Sequence, residues 1–159
     1  MAKSTVKFDF TRLNKIIPNV RKEFNKPTSL FKIKAIILKQ ILTGVSPVRG
    51  KKFQKYSDSY KKAIKKGKYS KEGKKVSPRN LKLSGDMLKT LDVKATIKDI
   101  IIKFTHELAE VHNKLGTRYG KVRRRLLPTE SGEKFNTKID SVIKDQLEIA
   151  VKKTVAKLK

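Results

Sequence analysis

An alternation of apolar and polar residues between Leu91 and Thr105 most constrains what this chain can fold into. A register that sets Ala95 opposite Ile102 brings almost every apolar side chain of the segment to one face, and leaves only Ile101 on the other. A slip by one residue would reverse the faces. We therefore predict an antiparallel hairpin with one buried face. Its inward residues are Leu91, Val93, Ala95 and Ile97, then Ile100, Ile102 and Phe104.

Apolar residues recur at spacings of three and four in three longer segments, which is typical of amphipathic helices. The first segment spans residues 8–24, with a kink or break expected at Pro18, and the second spans residues 28–44. The third predicts a long C-terminal helix from Phe135 to Leu158. Its inward face is expected to carry Ile139, Ile143, Leu147, Ala150, Val151 and Leu158.

Two shorter helices are expected to flank the hairpin. One follows Ser84 and buries Met87 and Leu88, and the other begins at Glu107. The predicted fold class is α+β, with several helices packed on a small antiparallel hairpin, a long C-terminal helix and long basic loops. The 159 residues suit one domain. Its expected parts are N-terminal helices (1–44), a basic extended loop (45–80), a hairpin-centred core with a second basic loop (81–134) and the C-terminal helix (135–159).

The charge of the chain calls for an anionic partner. Lys and Arg total 41 against 14 Asp and Glu, which gives a formal net charge of +27. A surface this basic is typical of proteins that meet nucleic acid, an anionic membrane or an acidic protein. A generally Lys-rich proteome is the alternative explanation.

The basic residues concentrate in two segments that we predict to be long loops, the first of them mobile apart from a short helix at residues 59–66. Interspersed tyrosines (Tyr56, Tyr60, Tyr69 and Tyr119) permit base stacking without requiring it. No motif for sequence-specific readout occurs. The candidate DNA- or partner-binding residues are Lys61, Lys62, Lys65, Lys66, Arg118, Lys121, Arg123, Arg124 and Arg125.

No catalytic, metal or cofactor site is predicted, and the protein is not expected to be an enzyme. There is no cysteine, which excludes thiolate chemistry and Cys-type zinc sites. His106 and His112 are six residues apart, so they diverge around a helix instead of forming a zinc pair. A nuclease would require an acid pair on a strand followed closely by a lysine, and a phosphate loop would require Gly-rich sequence before Lys-Ser or Lys-Thr; neither occurs.

Membrane association is not expected. No apolar run approaches the ~20 residues of a membrane span. The N-terminal residues lack the apolar core of a secretory signal. We therefore expect a product that is soluble and, initially, cytoplasmic.

Four sequence segments, in this order, resemble a family of tailed-phage virion morphogenesis proteins of the neck or tail-completion type. They are ILTGVSPVRGKKFQKYSDSYKKAIKKGK, SPRNLKLSGDMLKTL, AEVHNKLG and RRRLLP, and they lie within roughly residues 35–130. The residues that match the family's motifs are Leu83, Gly85, Met87, Leu88, His112, Asn113, Leu127 and Pro128.

The resemblance implies a non-enzymatic structural protein of the virion. Such a protein acts at the head–tail junction, as several copies around the DNA channel, and its implied partners are portal, adaptor, tail-tube or terminator rings. Non-specific contact with packaged DNA is also implied, because a ring multiplies the charge of each copy. The alternative interpretation is a stand-alone basic nucleic-acid-binding protein, with a nuclease ranked behind it.

Overall fold

The computed structural model describes residues 10–68, 75–77, 86–96, 99–115, 124–128 and 133–157. These residues form an α+β fold, as predicted. Its elements are α1 (Phe10–Phe24), α2 (Pro27–Leu42), α3 (Asp58–Lys65), α4 (Asp86–Lys89), β1 (Leu91–Ala95), β2 (Ile100–Phe104), α5 (Glu107–Glu110), a π-helical turn (Val111–Leu115) and α6 (Thr137–Ala156).

The two strands pair antiparallel and bury the predicted face, but in a register two residues away from the predicted one. Ala95 lies opposite Ile100, not Ile102. A shift of two residues keeps each side chain on its own face, so the alternation could not separate the two registers. Thr96 and Asp99 close the hairpin: Thr96 N donates to Asp99 O (2.7 Å), and Asp99 N donates to Thr96 Oγ1 (3.0 Å).

The outer edge of β1 is held by the end of α1. The side-chain amide of Asn25 donates to Ala95 O (3.0 Å) and accepts from Ala95 N (2.8 Å). These two bonds imitate the pairing of a neighbouring strand. An isolated hairpin is marginally stable, so this contact and the packing of β1 on α2 keep the strands in place.

Both N-terminal helices form close to where the spacing predicts them. Pro18 lies inside α1 without ending it. Pro27 opens α2 instead of terminating α1, because the fixed φ of proline suits the first turn of a helix. The inward residues Ile33, Ile37 and Ile41 of α2 are fully buried.

The predicted inward face of α6 is partly wrong. Ile139 and Ala150 are buried as expected, whereas Leu147 and Val151 are exposed. Gln146 and Thr154 take the inward positions instead. The Thr154 hydroxyl donates to Ala150 O (2.8 Å), so its burial leaves no unmet donor and lets α1 pack against this face.

The hydrophobic core draws on distant parts of the chain. Phe24 of α1, the isoleucines of α2, Met87 and Leu88 of α4, the inward residues of β1, and Ala150 of α6 belong to one buried cluster. The predicted burial of Met87 and Leu88 is therefore confirmed. Within the described ranges, no helix has both the length and the apolarity that a bilayer crossing requires.

Candidate functional site

The chain segment after α2 is tied to the core and is not a free loop. Phe53 N donates to Gly44 O (2.7 Å), and Val45 forms a β-bridge with Lys52. The side chains of Phe53 and Tyr56 are buried. Residues 45–57 are therefore anchored to the core, because two buried aromatic side chains hold a stretch that composition alone presents as polar.

Helix α3 begins where this anchored segment ends. Ser57 caps it by accepting a hydrogen bond from Tyr60 N (3.4 Å), and Asp58 lies in its positively polarised first turn. Ile64 is buried on one side. Helical geometry directs Lys62 and Lys66, each two residues from Ile64, to the opposite side, and Lys65 to the flank about 100° from Ile64. All three are exposed.

Lys61 differs from the other three candidate lysines. Its Nζ lies 2.7 Å from Asp58 Oδ1, and this contact holds the pKa of the Asp58 carboxyl below its usual value. Within the described residues, Lys61 is the only one of the four with an ion pair. The uncompensated charge of α3 therefore belongs to Lys62, Lys65 and Lys66.

We call residues 49–68 the basic platform. This stretch has one acidic residue, Asp58, against nine basic ones, so its net charge is 9 − 1 = +8. Every basic residue except the half-buried Lys61 is exposed. They are Arg49, Lys51, Lys52, Lys55, Lys61, Lys62, Lys65, Lys66 and Lys68.

Aromatic contacts join the platform to the rest of the fold. The rings of Tyr56 and Tyr60 meet edge to face, with centroids 5.1 Å apart. The guanidinium carbon of Arg124 lies 5.3 Å from the centre of the Tyr56 ring, which is a cation–π distance. Tyr69 and Tyr119 lie outside the described residues. Tyr56 thus connects Tyr60 of α3 to Arg124 in the segment Arg124–Pro128.

The structure corrects the surface position expected for Arg124 and Arg125. Their side chains are 5% and 2% exposed. Arg125 Nη1 donates to Asn113 O (2.9 Å), and Nη2 forms an ion pair with Glu133. A buried guanidinium is stable only when it is paired and hydrogen-bonded, and Asn113 and Glu133 supply such partners for Arg125. Arg118, Lys121 and Arg123 lie outside the described residues.

The side chain of Asn113 connects two chain segments in the same region. Its side-chain Oδ1 accepts hydrogen bonds from Leu126 N (2.7 Å) and Leu127 N (2.9 Å), and Arg124 N donates to His112 O (2.8 Å). The π-helical turn and the segment Arg124–Pro128 are thereby joined. Asn113 is buried, whereas His112, Leu127 and Pro128 are half-buried. The remaining motif residues, Leu83 and Gly85, lie outside the described residues.

Two further residues extend this network to α2 and α6. Ser46 Oγ donates to Arg125 O (2.7 Å). Asn136, the N-cap of α6, donates from Nδ2 to Pro47 O and to Gln40 Oε1, each at 2.7 Å. We call the residues Ser46, Asn113, Arg125 and Asn136 the motif junction.

The backbone of Gly50 lies beside Asn136 of the motif junction. Gly50 has a φ of +66°, and a Cβ there would lie 3.4 Å from Asn136 Cβ. The positive φ favours glycine. No local sequence pattern marks Ser46, Gln40 or Glu133 as members of this network. Asn136 does carry a local signal, because an asparagine directly before the apolar period of α6 is a recognisable helix start.

The histidines have local contacts. His106 caps α5, with Nδ1 accepting from Leu108 N (3.2 Å). Across the part of the chain that the structure describes, no three side chains among His, Cys, Asp and Glu gather as a metal site.

A separate charged cluster joins α1 to α6. The Glu23 carboxylate lies 2.5 Å from Lys157 Nζ and 2.6 Å from Lys26 Nζ. Hydrogen bonds from Lys157 and then Lys26 lower the pKa of Glu23 to about 2. An adjacent cleft of about 250 Å³ is lined by Asn19, Lys22, Glu23, Thr154 and Lys157.

Comparison with known proteins gives no match. No protein-family model matches the chain, and neither a curated protein nor a solved structure is significantly similar to it. The resemblance to phage neck proteins therefore rests on the four sequence segments, and the function drawn from it is a proposal.

Proposed function

We propose that the protein is a structural component of a tailed-phage virion, acting at the head–tail junction as one of several copies around the DNA channel. Its role there is to join neighbouring neck or tail subunits. The motif junction is the observation that carries this proposal. Three of the four segments behind the family resemblance meet in it, through Ser46, Asn113 and Arg125.

The chemistry of the motif junction supports a structural role. Asn113 and Arg125 are polar residues of the kind that also serve as catalytic groups, but here their hydrogen bonds go to backbone carbonyls, backbone amides and Glu133. Hydrogen bonds within a buried polar network make a fold rigid and specific. Rigidity suits a subunit that must hold its shape between large neighbours.

Exposed surfaces outside the motif junction are available for those neighbours. The basic platform offers a large positive charge, and Ile101 offers an apolar side chain on the outer face of the hairpin. Basic surfaces steer association with acidic ones and with nucleic acid. The proposal therefore assigns subunit contacts to the outer face of the hairpin, charge-driven contacts to the platform, and shape to the motif junction.

Deletion of the gene from the phage or prophage genome that encodes the chain tests the proposal. Without a neck component we expect DNA-filled heads and separate tails by electron microscopy. Supply of the wild-type protein in trans should restore joined, infectious particles. Joined particles in the deletion strain would contradict the proposed role.

The second candidate is a stand-alone nucleic-acid-binding protein, which the exposed charge of the platform favours. The same deletion separates the two candidates. A stand-alone binder would leave heads and tails joined, and the protein would be missing from purified particles that have been washed at high salt.

A further inference from the structure

The platform presents its charge as an ordered array. Lys62 lies three residues before Lys65 and four before the C-cap residue Lys66, so its side chain neighbours both and the three form one ridge of α3. The ridge points away from the buried Ile64. Arg49, Lys51, Lys52 and Lys55 extend the positive surface along the chain before α3.

Three buried side chains hold the backbone of this array in place. Phe53, Tyr56 and Ile64 are buried, and Arg124 is stacked on Tyr56. Binding therefore has to order only the lysine side chains and not the chain that carries them, which lowers its entropic cost.

The platform lacks the apolar groups on which protein partners rely. Among the described residues, the large apolar side chains that are exposed lie elsewhere, for example Phe31, Ile101 and Leu147. Protein interfaces depend on buried aromatic or aliphatic anchors with a polar rim. A phosphate backbone needs only positive charge to bind. This contrast favours nucleic acid over an acidic protein.

The platform also lacks the features of a single-strand site. Single-stranded nucleic acid is held by exposed aromatic rings on which bases stack. The described tyrosines of the platform instead contact each other, and Tyr56 lies beneath Arg124. Eight of the nine basic residues are lysines, whose ammonium groups act as point charges without the planar fork that reads base edges.

We infer that the basic platform is a binding surface for duplex DNA, which it contacts through the phosphate backbone without reading the base sequence. The ridge of Lys62, Lys65 and Lys66 supplies the central contacts. The inference deepens the proposed function and rests on it for the source of the duplex, which is the genome that passes the neck.

Fluorescence anisotropy with the full chain tests the inference. The probes are a labelled short duplex and a labelled single strand of equal length, titrated between about 50 and 200 mM salt. We expect the duplex to bind more tightly than the strand, and with the same affinity for unrelated sequences. Tighter binding of the single strand would overturn the inference.

The triple variant Lys62→Gln, Lys65→Gln, Lys66→Gln locates the surface. Each lost phosphate contact reduces the slope of log affinity against log salt by about 0.9, so loss of all three reduces it by about 2.7. The matched control is Lys94→Gln, Lys103→Gln, Lys153→Gln, which removes the same charge from exposed positions on the hairpin and α6. Its slope should stay near that of the wild type.

Two further results would contradict the inference. Equal losses in both triple variants would mean that net charge alone drives binding. Displacement of the duplex by poly-glutamate at equal charge concentration would point to an acidic protein instead. Either result would leave the neck role standing, and joined heads and tails in the deletion strain would contradict the neck role without changing the binding data.

Discussion

At the scale of single residues, identical side chains serve different purposes according to what surrounds them. Arg124 and Arg125 are adjacent, yet one is stacked on Tyr56 and the other is paired with Glu133 and hydrogen-bonded to Asn113. Asn113 acts as a substitute for missing backbone pairing, because its side-chain oxygen accepts from two consecutive amides that have left regular structure. The primary role of these motif residues is therefore to stabilise the fold.

Asn113→Ala should destabilise the protein strongly. The change leaves the amides of Leu126 and Leu127 without their acceptor in a buried region, at a cost of about 1–3 kcal/mol for each group. Urea unfolding followed by circular dichroism measures the loss. Gln54→Ala, at an exposed position, is the control and should stay within about 0.5 kcal/mol of the wild type. A neutral Asn113→Ala would mean that water or another side chain replaces the acceptor.

At the scale of elements, the pairing of α1 with α6 is held by packing and by one charge cluster. The buried residues of α6 include Gln146 and Thr154, so its inward side is partly polar. Glu23 contributes from α1, and Lys157 contributes from the C-terminal end of α6. The positive charge of Lys157 also lies at the negative end of the helix dipole, where it is favourable.

This cluster predicts a loss of stability in acid. The folded pKa of Glu23 is about 2, below the ordinary value of 4.5. A lowered folded pKa contributes stability that is present above the unfolded pKa and is lost as the pH falls through the folded one. The midpoint of urea unfolding should therefore drop between pH 4.5 and 2.

Substitution of Glu23 distinguishes its contribution to the acid dependence of stability from that of the other carboxylates. Glu23→Gln should lower the midpoint at neutral pH and flatten its decline in acid, because the titrating group is gone. Glu107→Gln, at an exposed position on α5, is the matched control and should leave the decline unchanged. A steep acid decline in Glu23→Gln would assign the effect to other groups.

The basic platform shows which structural features can be predicted from local sequence and which cannot. The helix predicted over 59–66 forms as Asp58–Lys65, because its cap and its apolar Ile64 are local signals. The anchoring of the preceding loop could not be predicted in the same way. It depends on the contact between Tyr56 and Arg124, which are 68 residues apart in sequence. No local sequence pattern indicates a contact between residues so far apart.

At the scale of the whole molecule, the positive charge is unevenly distributed. Residues 49–68 have a net charge of +8, whereas the 20 residues of α6 have four lysines and three acidic residues, or +1. Two i, i+4 ion pairs, Lys144 with Asp140 and Lys152 with Glu148, account for most of that balance. The platform therefore contributes more self-repulsion per residue than α6 does.

Salt should stabilise this protein, and it should weaken the duplex binding that we infer for the platform. Raising the ionic strength from about 0.01 to 0.1 M shortens the screening length from about 30 to 10 Å, which reduces the self-repulsion of a +27 chain. A gain of about 1 kcal/mol would raise the melting temperature by about 2–4 °C. Thermal unfolding at a series of sodium chloride concentrations measures the effect. A melting temperature that falls with salt would show that ion pairs outweigh repulsion.

The sequence by itself determined the α+β class, the helix positions, the faces of the hairpin and the excess of positive charge, because periodicity and composition are local properties of a chain. The tertiary structure alone decided the register of the hairpin, the inward face of α6 and the burial of Arg124 and Arg125. A shift of two residues preserves every local pattern, so Thr96, Asp99 and Asn25 had to select the register. A guanidinium enters the interior only where partners from elsewhere in the chain satisfy it, and those partners are brought together by the fold.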